Sequence, residues 1–106
     1  MINIDTRKPV LGNVSGGLSG PAIFPVALNM VYKTAKTVKI PIIAMGGIMT
    51  AKEALQFLIA GASMVAVGTA SFINPNAPFE VLAGIKDYMK QNKIENIKEL
   101  IGSIKD

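Results

Sequence analysis

Residues 40–70, IPIIAMGGIMTAKEALQFLIAGASMVAVGTA, leave this chain few choices of fold. The run 40–45 is apolar without alternation, which predicts a strand buried on both faces and ended by Gly46-Gly47. Thr50 and Glu53 form a T-x-x-E capping box that opens a helix. Ala51, Ala54, Leu55, Leu58 and Ile59 follow at i, i+3, i+4, i+7 and i+8, giving that helix one apolar face, and Gly61 stands where a helix closes. Residues 64–67 predict a second strand buried on both faces, ended by Gly68-Thr69. Strand, helix and strand of these lengths make a parallel βαβ unit with both carboxyl ends marked by glycine.

Parallel sheets bind ligands at that end. A glycine turn lets backbone N–H groups approach an anion, and a following helix N-terminus adds its partial positive charge. Gly46 with Gly47, and Gly68 with Thr69, are therefore candidate phosphate contacts, Thr69 adding a hydroxyl. A third glycine-rich stretch, Gly16-Gly17-Leu18-Ser19-Gly20, lies one helix earlier. The plainer reading, that these glycines merely end strands, suits one such turn better than two in succession.

Residues 1–11 alternate weakly and contain Pro9, as in a hairpin arm or extended loop. A helix is expected from Pro25, with Phe24 pushed toward extended geometry and an apolar stripe of Val26, Ala27, Met30, Val31, Thr34 and Val38. Beyond Thr69, the Asn74-Pro75-Asn76 turn precedes an amphipathic helix from Pro78 to about Gln91, with Val81, Leu82, Ile85, Tyr88 and Met89 apolar. A last helix is expected from Glu95, turning Ile97, Leu100, Ile101 and Ile104 inward. The expected organisation is one partial domain over 1–106: an arm and glycine-rich loop over 1–24, then helix, strand, helix, strand, helix, helix over 25–106. Two strands make neither a barrel nor an independently stable sheet, so the parts are those of a larger α/β fold.

Composition narrows the function. Eleven basic residues against seven acidic give a net charge of +4, but ten of the basic residues are lysine, spaced as on solvated helix faces. Two tyrosines and four phenylalanines scattered along the chain offer no stacking platform for nucleic acid. No apolar run reaches the roughly 20 residues that span a bilayer, and the first residues lack a signal-peptide pattern. The absence of cysteine fits a reducing cytoplasm. With no histidine or cysteine, neither a triad nor a thiolate is available. Glu53, Glu80 and Glu95 sit at expected helix starts, Asp87 and Glu99 within helices, and Asp5 and Asp106 near the ends, unclustered for metal. No catalytic residue and no metal ligand is expected within this chain.

The strings NVSGGLSGPAIFPVAL and IPIIAMGGIMTAKEALQFLIAGASMVAVGTA, with the F-I-N-P turn and the IDTRKPVLG arm, resemble the catalytic subunit of class 1B dihydroorotate dehydrogenases. The resemblance covers essentially the whole chain, and the GGLSGPA segment is more specific than the glycine turns. It implies a (β/α)₈ TIM barrel of which this chain holds the C-terminal part, strands seven and eight with their flanking helices. It further implies flavin mononucleotide (FMN) at the carboxyl ends of the strands, contacted by Gly20, Gly46, Gly47, Gly68 and Thr69. The implied reaction is oxidation of dihydroorotate to orotate in pyrimidine biosynthesis. Its electrons pass to NAD through a second subunit carrying FAD and an iron–sulfur cluster.

The family's catalytic cysteine, its flavin-contacting lysine and its substrate-holding asparagines fall outside the matched part. The chain alone is thus expected to be inactive, and to need either the missing N-terminal part of the barrel or self-association. Another truncated phosphate-binding barrel enzyme, or a non-catalytic remnant acting only in assembly, are the competing expectations.

Overall fold

The computed structural model describes residues 1–105; Asp106 lies outside the described residues. A small antiparallel hairpin comes first, β1 (Ile2–Asn3) pairing with β2 (Lys8–Pro9). A 3₁₀ turn, Pro21–Ile23, runs into α1 (Phe24–Thr37), followed by β3 (Ile43–Met45), α2 (Ala51–Ala60) and β4 (Met64–Ala66). A single-turn helix, α3 (Ala70–Ile73), precedes α4 (Ala77–Gln91), and a second 3₁₀ turn spans Ile97–Glu99. Strands β3 and β4 are parallel, with Ile43 beside Met64, Ala44 beside Val65 and Met45 beside Ala66. The expected βαβ unit is present.

Helix α2 carries the core. Thr50 Oγ1 accepts the Lys52 N–H at 3.2 Å, while Glu53 Oε2 accepts the Thr50 N–H and hydroxyl at 2.8 and 2.7 Å. At the other end Gly61 adopts φ +119°, and the N–H groups of Gly61 and Ala62 return to the carbonyls of Leu58 and Phe57, closing a Schellman motif. Ala54, Leu55, Phe57 and Leu58 are buried. Phe57, which the periodicity left out, is fully buried and meets Phe24 edge to face with ring centres 5.4 Å apart.

The flanking helices approach α2 where side chains are smallest. A Cβ on Gly61 would lie 2.5 Å from the Ala35 Cβ of α1, and one on Gly84 of α4 would collide with the Ala51 methyl.

Several expectations are corrected. Neither strand is buried on both faces: Ala44 is 1% exposed, but Ile43, Met45 and Met64 on the opposite face are 61%, 65% and 53% exposed. The strands are also shorter than 40–45 and 64–67. Helices cover one side only, and among the described residues no further strand joins the β3–β4 sheet, since β1 and β2 pair with each other.

Helix α1 begins at Phe24, whose φ of −51° and ψ of −53° are helical. The preceding 3₁₀ turn delivers the chain already coiled and overrides the usual bias before proline. The buried stripe of α1 runs through Phe24, Ala27, Leu28, Val31 and Tyr32, whereas Val26 and Met30 are more than half exposed and Thr34 and Val38 are exposed.

The last expected helix is a single 3₁₀ turn. Asn96 caps it by accepting the Lys98 N–H, and Gly102 then turns at φ +70°. From there the N–H groups of Gly102 and Ile104 reach the Leu58 and Ile59 carbonyls at 3.0 and 3.2 Å. Leu100 is buried as expected, and Ile104 is 45% exposed. These last bonds satisfy carbonyls that the end of α2 would otherwise leave free.

The radius of gyration is 16.6 Å, against about 13 Å for a compact domain of this length. The molecule measures 57 × 33 × 21 Å, the proportions of a slice with an arm.

Candidate functional site

The glycine turns meet. One cleft of about 240 Å³ at the carboxyl ends of β3 and β4 is lined by all five expected positions: Gly20, Gly46, Gly47, Gly68 and Thr69. The two turns thus lie at the same end of the strand pair. Of the glycine-rich loop, Leu18, Ser19 and Gly20 line the cleft; Gly16 and Gly17 do not. Sequence reasoning missed the apolar lining, chiefly Ile23, Met45 and Ala66. Met45 and Ala66 are neighbours in register on the open face of the strands, a signal that period-two reading of the strand ends would have given.

The glycines are not all present for the same reason. Gly46 and Gly47 have φ of +131° and +71°, and a Cβ on Gly47 would lie 2.6 Å from the Phe24 Cβ. A Cβ on Gly46 would lie 2.9 Å from that of Ala27. These two serve the turn and its close approach to α1. Gly68 differs. Its φ is not in the left-handed region, and a Cβ there would meet nothing within 4 Å. The packing of this chain does not demand glycine at 68, yet the residue lines the cleft, so the space beside it is open for close approach of a ligand to the backbone.

The cleft is lined without charged side chains. Its polarity comes from backbone and hydroxyl groups. The Ser71 and Phe72 N–H groups donate to the Gly68 and Thr69 carbonyls at 2.9 and 3.1 Å, so these peptides commit their C=O ends to the following turn. On the other side Gly47 leads through Ile48 and Met49, which line the cleft, to α2, whose capping box already engages the Thr50 and Lys52 N–H groups. Such a surface suits an anion held by neutral donors, with an apolar portion of the same ligand over Met45 and Ala66. No group of histidine, cysteine and acidic residues suited to a metal occurs among the described residues.

Glu53 stands behind this helix end. Burial raises its pKa, but hydrogen bonds from the Thr50 hydroxyl and from backbone N–H groups of Thr50, Glu53 and Met49 outweigh it, holding the carboxyl below its ordinary 4.5. A depressed folded pKa means the capping box contributes fully above the unfolded value and is lost as pH falls through the folded one. The difference in melting temperature between the parent chain and Glu53→Gln is therefore expected to narrow as pH drops below 4.5. A gap that stays constant into acid would show that the carboxylate does not hold the turn.

Parallel strands joined by a helix, with glycine turns at their carboxyl ends, define part of a larger α/β fold. The particular family follows from comparison. The profile of the dihydroorotate dehydrogenase family matches residues 1–89, and the chain belongs to that family. It is 62% identical over 104 residues to the dihydroorotate dehydrogenase B (NAD(+)) catalytic subunit of Thermoanaerobacter sp. (strain X514), covering 98% of this chain and 34% of that protein. With the corresponding subunit of Thermodesulfovibrio yellowstonii it shares 55% identity over 106 residues, which is 100% of this chain and 35% of the relative.

Among solved structures, the dihydroorotate dehydrogenase of Eimeria tenella in complex with ferulenol superposes with a TM-score of 0.78 at 32% identity. That match covers 84% of this chain and 24% of the other. The chain spans about a third of the length of the curated relatives it matches. No helix among the described residues is long and apolar enough to cross a membrane.

Proposed function

We propose that this chain is the C-terminal third of a dihydroorotate dehydrogenase barrel, carrying strands seven and eight, and that its cleft holds the phosphate of FMN. The observation that carries the reading is Gly68: it lines the cleft and lacks a side chain for no reason internal to the chain. Gly20, Gly46, Gly47, Gly68 and Thr69 would hold the phosphate through N–H groups and the Thr69 hydroxyl, with Met45 and Ala66 beneath the apolar part. Held there, FMN would supply the hydride-accepting chemistry for oxidation of dihydroorotate to orotate, the accompanying proton going to a base outside this chain. The part of this chain is to fix the cofactor's position in the complete barrel. The relatives' name, an NAD(+)-linked catalytic subunit, supports NAD as acceptor and a further subunit beside it; an FAD and iron–sulfur carrier and a cytoplasmic setting are what the class 1B resemblance implies.

Gly68→Ala separates binding from folding. Its melting temperature is expected to match the parent. In fluorescence titrations of the chain assembled with the part of the Thermoanaerobacter subunit it does not match, FMN is expected to bind the parent at least about tenfold more tightly than riboflavin, a margin of about 1.4 kcal/mol. Gly68→Ala should erase that preference. Equal affinity of the parent for FMN and riboflavin would end the phosphate reading.

A further inference from the structure

We propose that residues 11–19 are a strap that closes over the cleft when a ligand fills it, driven by release of a strained turn at Val14. The proposal rests on the reading of the cleft as a flavin site and is independent of how the phosphate is held. Val14 has φ +66°, in the left-handed region, and across it the Ser15 N–H donates to the Asn13 carbonyl at 2.6 Å. A hydrogen bond spanning three residues about a positive φ is a γ-turn of the rare, strained form. The β-branched side chain adds to the strain, because its Cβ crowds the backbone in that region.

Little in the fold holds the turn there. Every residue from 11 to 19 is exposed, Val14 itself by 69%. Apart from the γ-turn, the bond from the Val14 N–H to the Leu11 carbonyl, at 3.0 Å, is the one backbone hydrogen bond within the segment among the described residues. Strained backbone persists where its surroundings over-determine it. Here two local bonds oppose a change, so a new contact elsewhere on the segment can tip it.

The other end of the segment supplies that contact. Gly20 is buried, with φ +82° and ψ −170°, and its carbonyl accepts the Ile23 N–H at 3.2 Å, which anchors the strap. Just before it Leu18 and Ser19 line the cleft, with Leu18 65% exposed. Between anchor and turn lies Gly17, where a Cβ would meet nothing within 4 Å, so the backbone has room to pivot. The apolar part of a ligand over Met45 and Ala66 would gain a cover from Leu18, and the swing lets Val14 leave its positive φ. Ligand contact and strain release then favour the same closed state.

Two variants at Val14 separate strain from side-chain contact. Glycine removes the cost of the positive φ, which stabilises the open strap and lowers the closed fraction by the same factor. Alanine removes the valine methyls but keeps a Cβ. The titrations use the chain assembled with the unmatched portion of the Thermoanaerobacter subunit. Val14→Gly is expected to weaken FMN and riboflavin alike by at least about fivefold, and Val14→Ala by less than about twofold. Hydrogen exchange over residues 11–19 of the parent should slow when FMN is added. In the free chain the melting temperature of Val14→Gly should equal or exceed the parent's, against the usual cost of glycine in a loop.

A melting temperature lowered by Val14→Gly would overturn the proposal. So would equal losses of affinity in the two variants, or exchange over 11–19 that FMN leaves unchanged. Affinity indifferent to Val14→Gly, with the preference for FMN over riboflavin intact, removes the strap and leaves the phosphate reading. Equal binding of FMN and riboflavin by the parent, both weakened by Val14→Gly, does the reverse.

Discussion

Alanine at Gly47 is expected to destabilise the chain by about 2–5 kcal/mol, from roughly 1–2 for a side chain in left-handed geometry and about 1–3 for overpacking. The backbone there has φ +71°, and the new methyl would sit 2.6 Å from the Phe24 Cβ and 2.9 Å from both the Cα and the backbone nitrogen of Phe24. Atoms so close to backbone cannot be relieved by a rotamer change, so α1 or the turn must move. The same substitution at Gly68, with open space and ordinary φ, should stay within about 0.5 kcal/mol of the parent. Urea titrations of the two variants, in whichever assembly unfolds cooperatively, give the comparison. A Gly47→Ala variant as stable as Gly68→Ala would mean that the turn is looser than its contacts imply.

No dihydroorotate oxidation is expected from the purified chain, even with FMN and an artificial acceptor supplied. A positioned general base is worth roughly 10²–10⁴ in rate, and this chain has no histidine or cysteine to act as one. Nor does any carboxylate or lysine line the cleft. Glu53, the nearest candidate by sequence, spends its carboxylate on the N–H and hydroxyl of Thr50. Adding the unmatched portion of the Thermoanaerobacter subunit is expected to restore turnover. Oxidation by this chain alone above a blank of free flavin would show that a base has been overlooked.

Helix α2 was legible in the sequence to the residue, because capping box, apolar period and closing glycine all agree and each is a local signal. The convergence of the two turns was equally legible, since parallel strands put their carboxyl ends together whatever surrounds them. The face of α1 was not. Val26 and Met30 are as apolar as Ala27 and Val31, and periodicity cannot tell a flank facing α2 from a flank facing elsewhere. The strands were misjudged for a related reason: an unbroken apolar run records what a strand was shaped to touch, while burial records what is present. Residues 95–104 have helical spacing, but Gly102 and the free carbonyls of α2 offered the backbone better partners than another turn of helix. That competition lies between segments far apart in sequence, beyond any local pattern.

The two contacts between glycine and alanine on either side of α2 bear on how this surface can vary over evolutionary time. Where Gly61 faces Ala35 and Gly84 faces Ala51, the spacing of three helices is set by main chain against methyl, with no longer side chain to adjust. Drift at any of these four positions is then coupled: growth at either alanine meets a glycine that cannot shrink, and growth at either glycine leaves alanine-to-glycine at its partner as the one compensation. The exposed lysines of α4 can change singly, but these pairs can change only by that exchange or by moving α2 itself, and with it the turn at Gly47. Sequence freedom in this chain should therefore follow helix spacing rather than distance from the cleft.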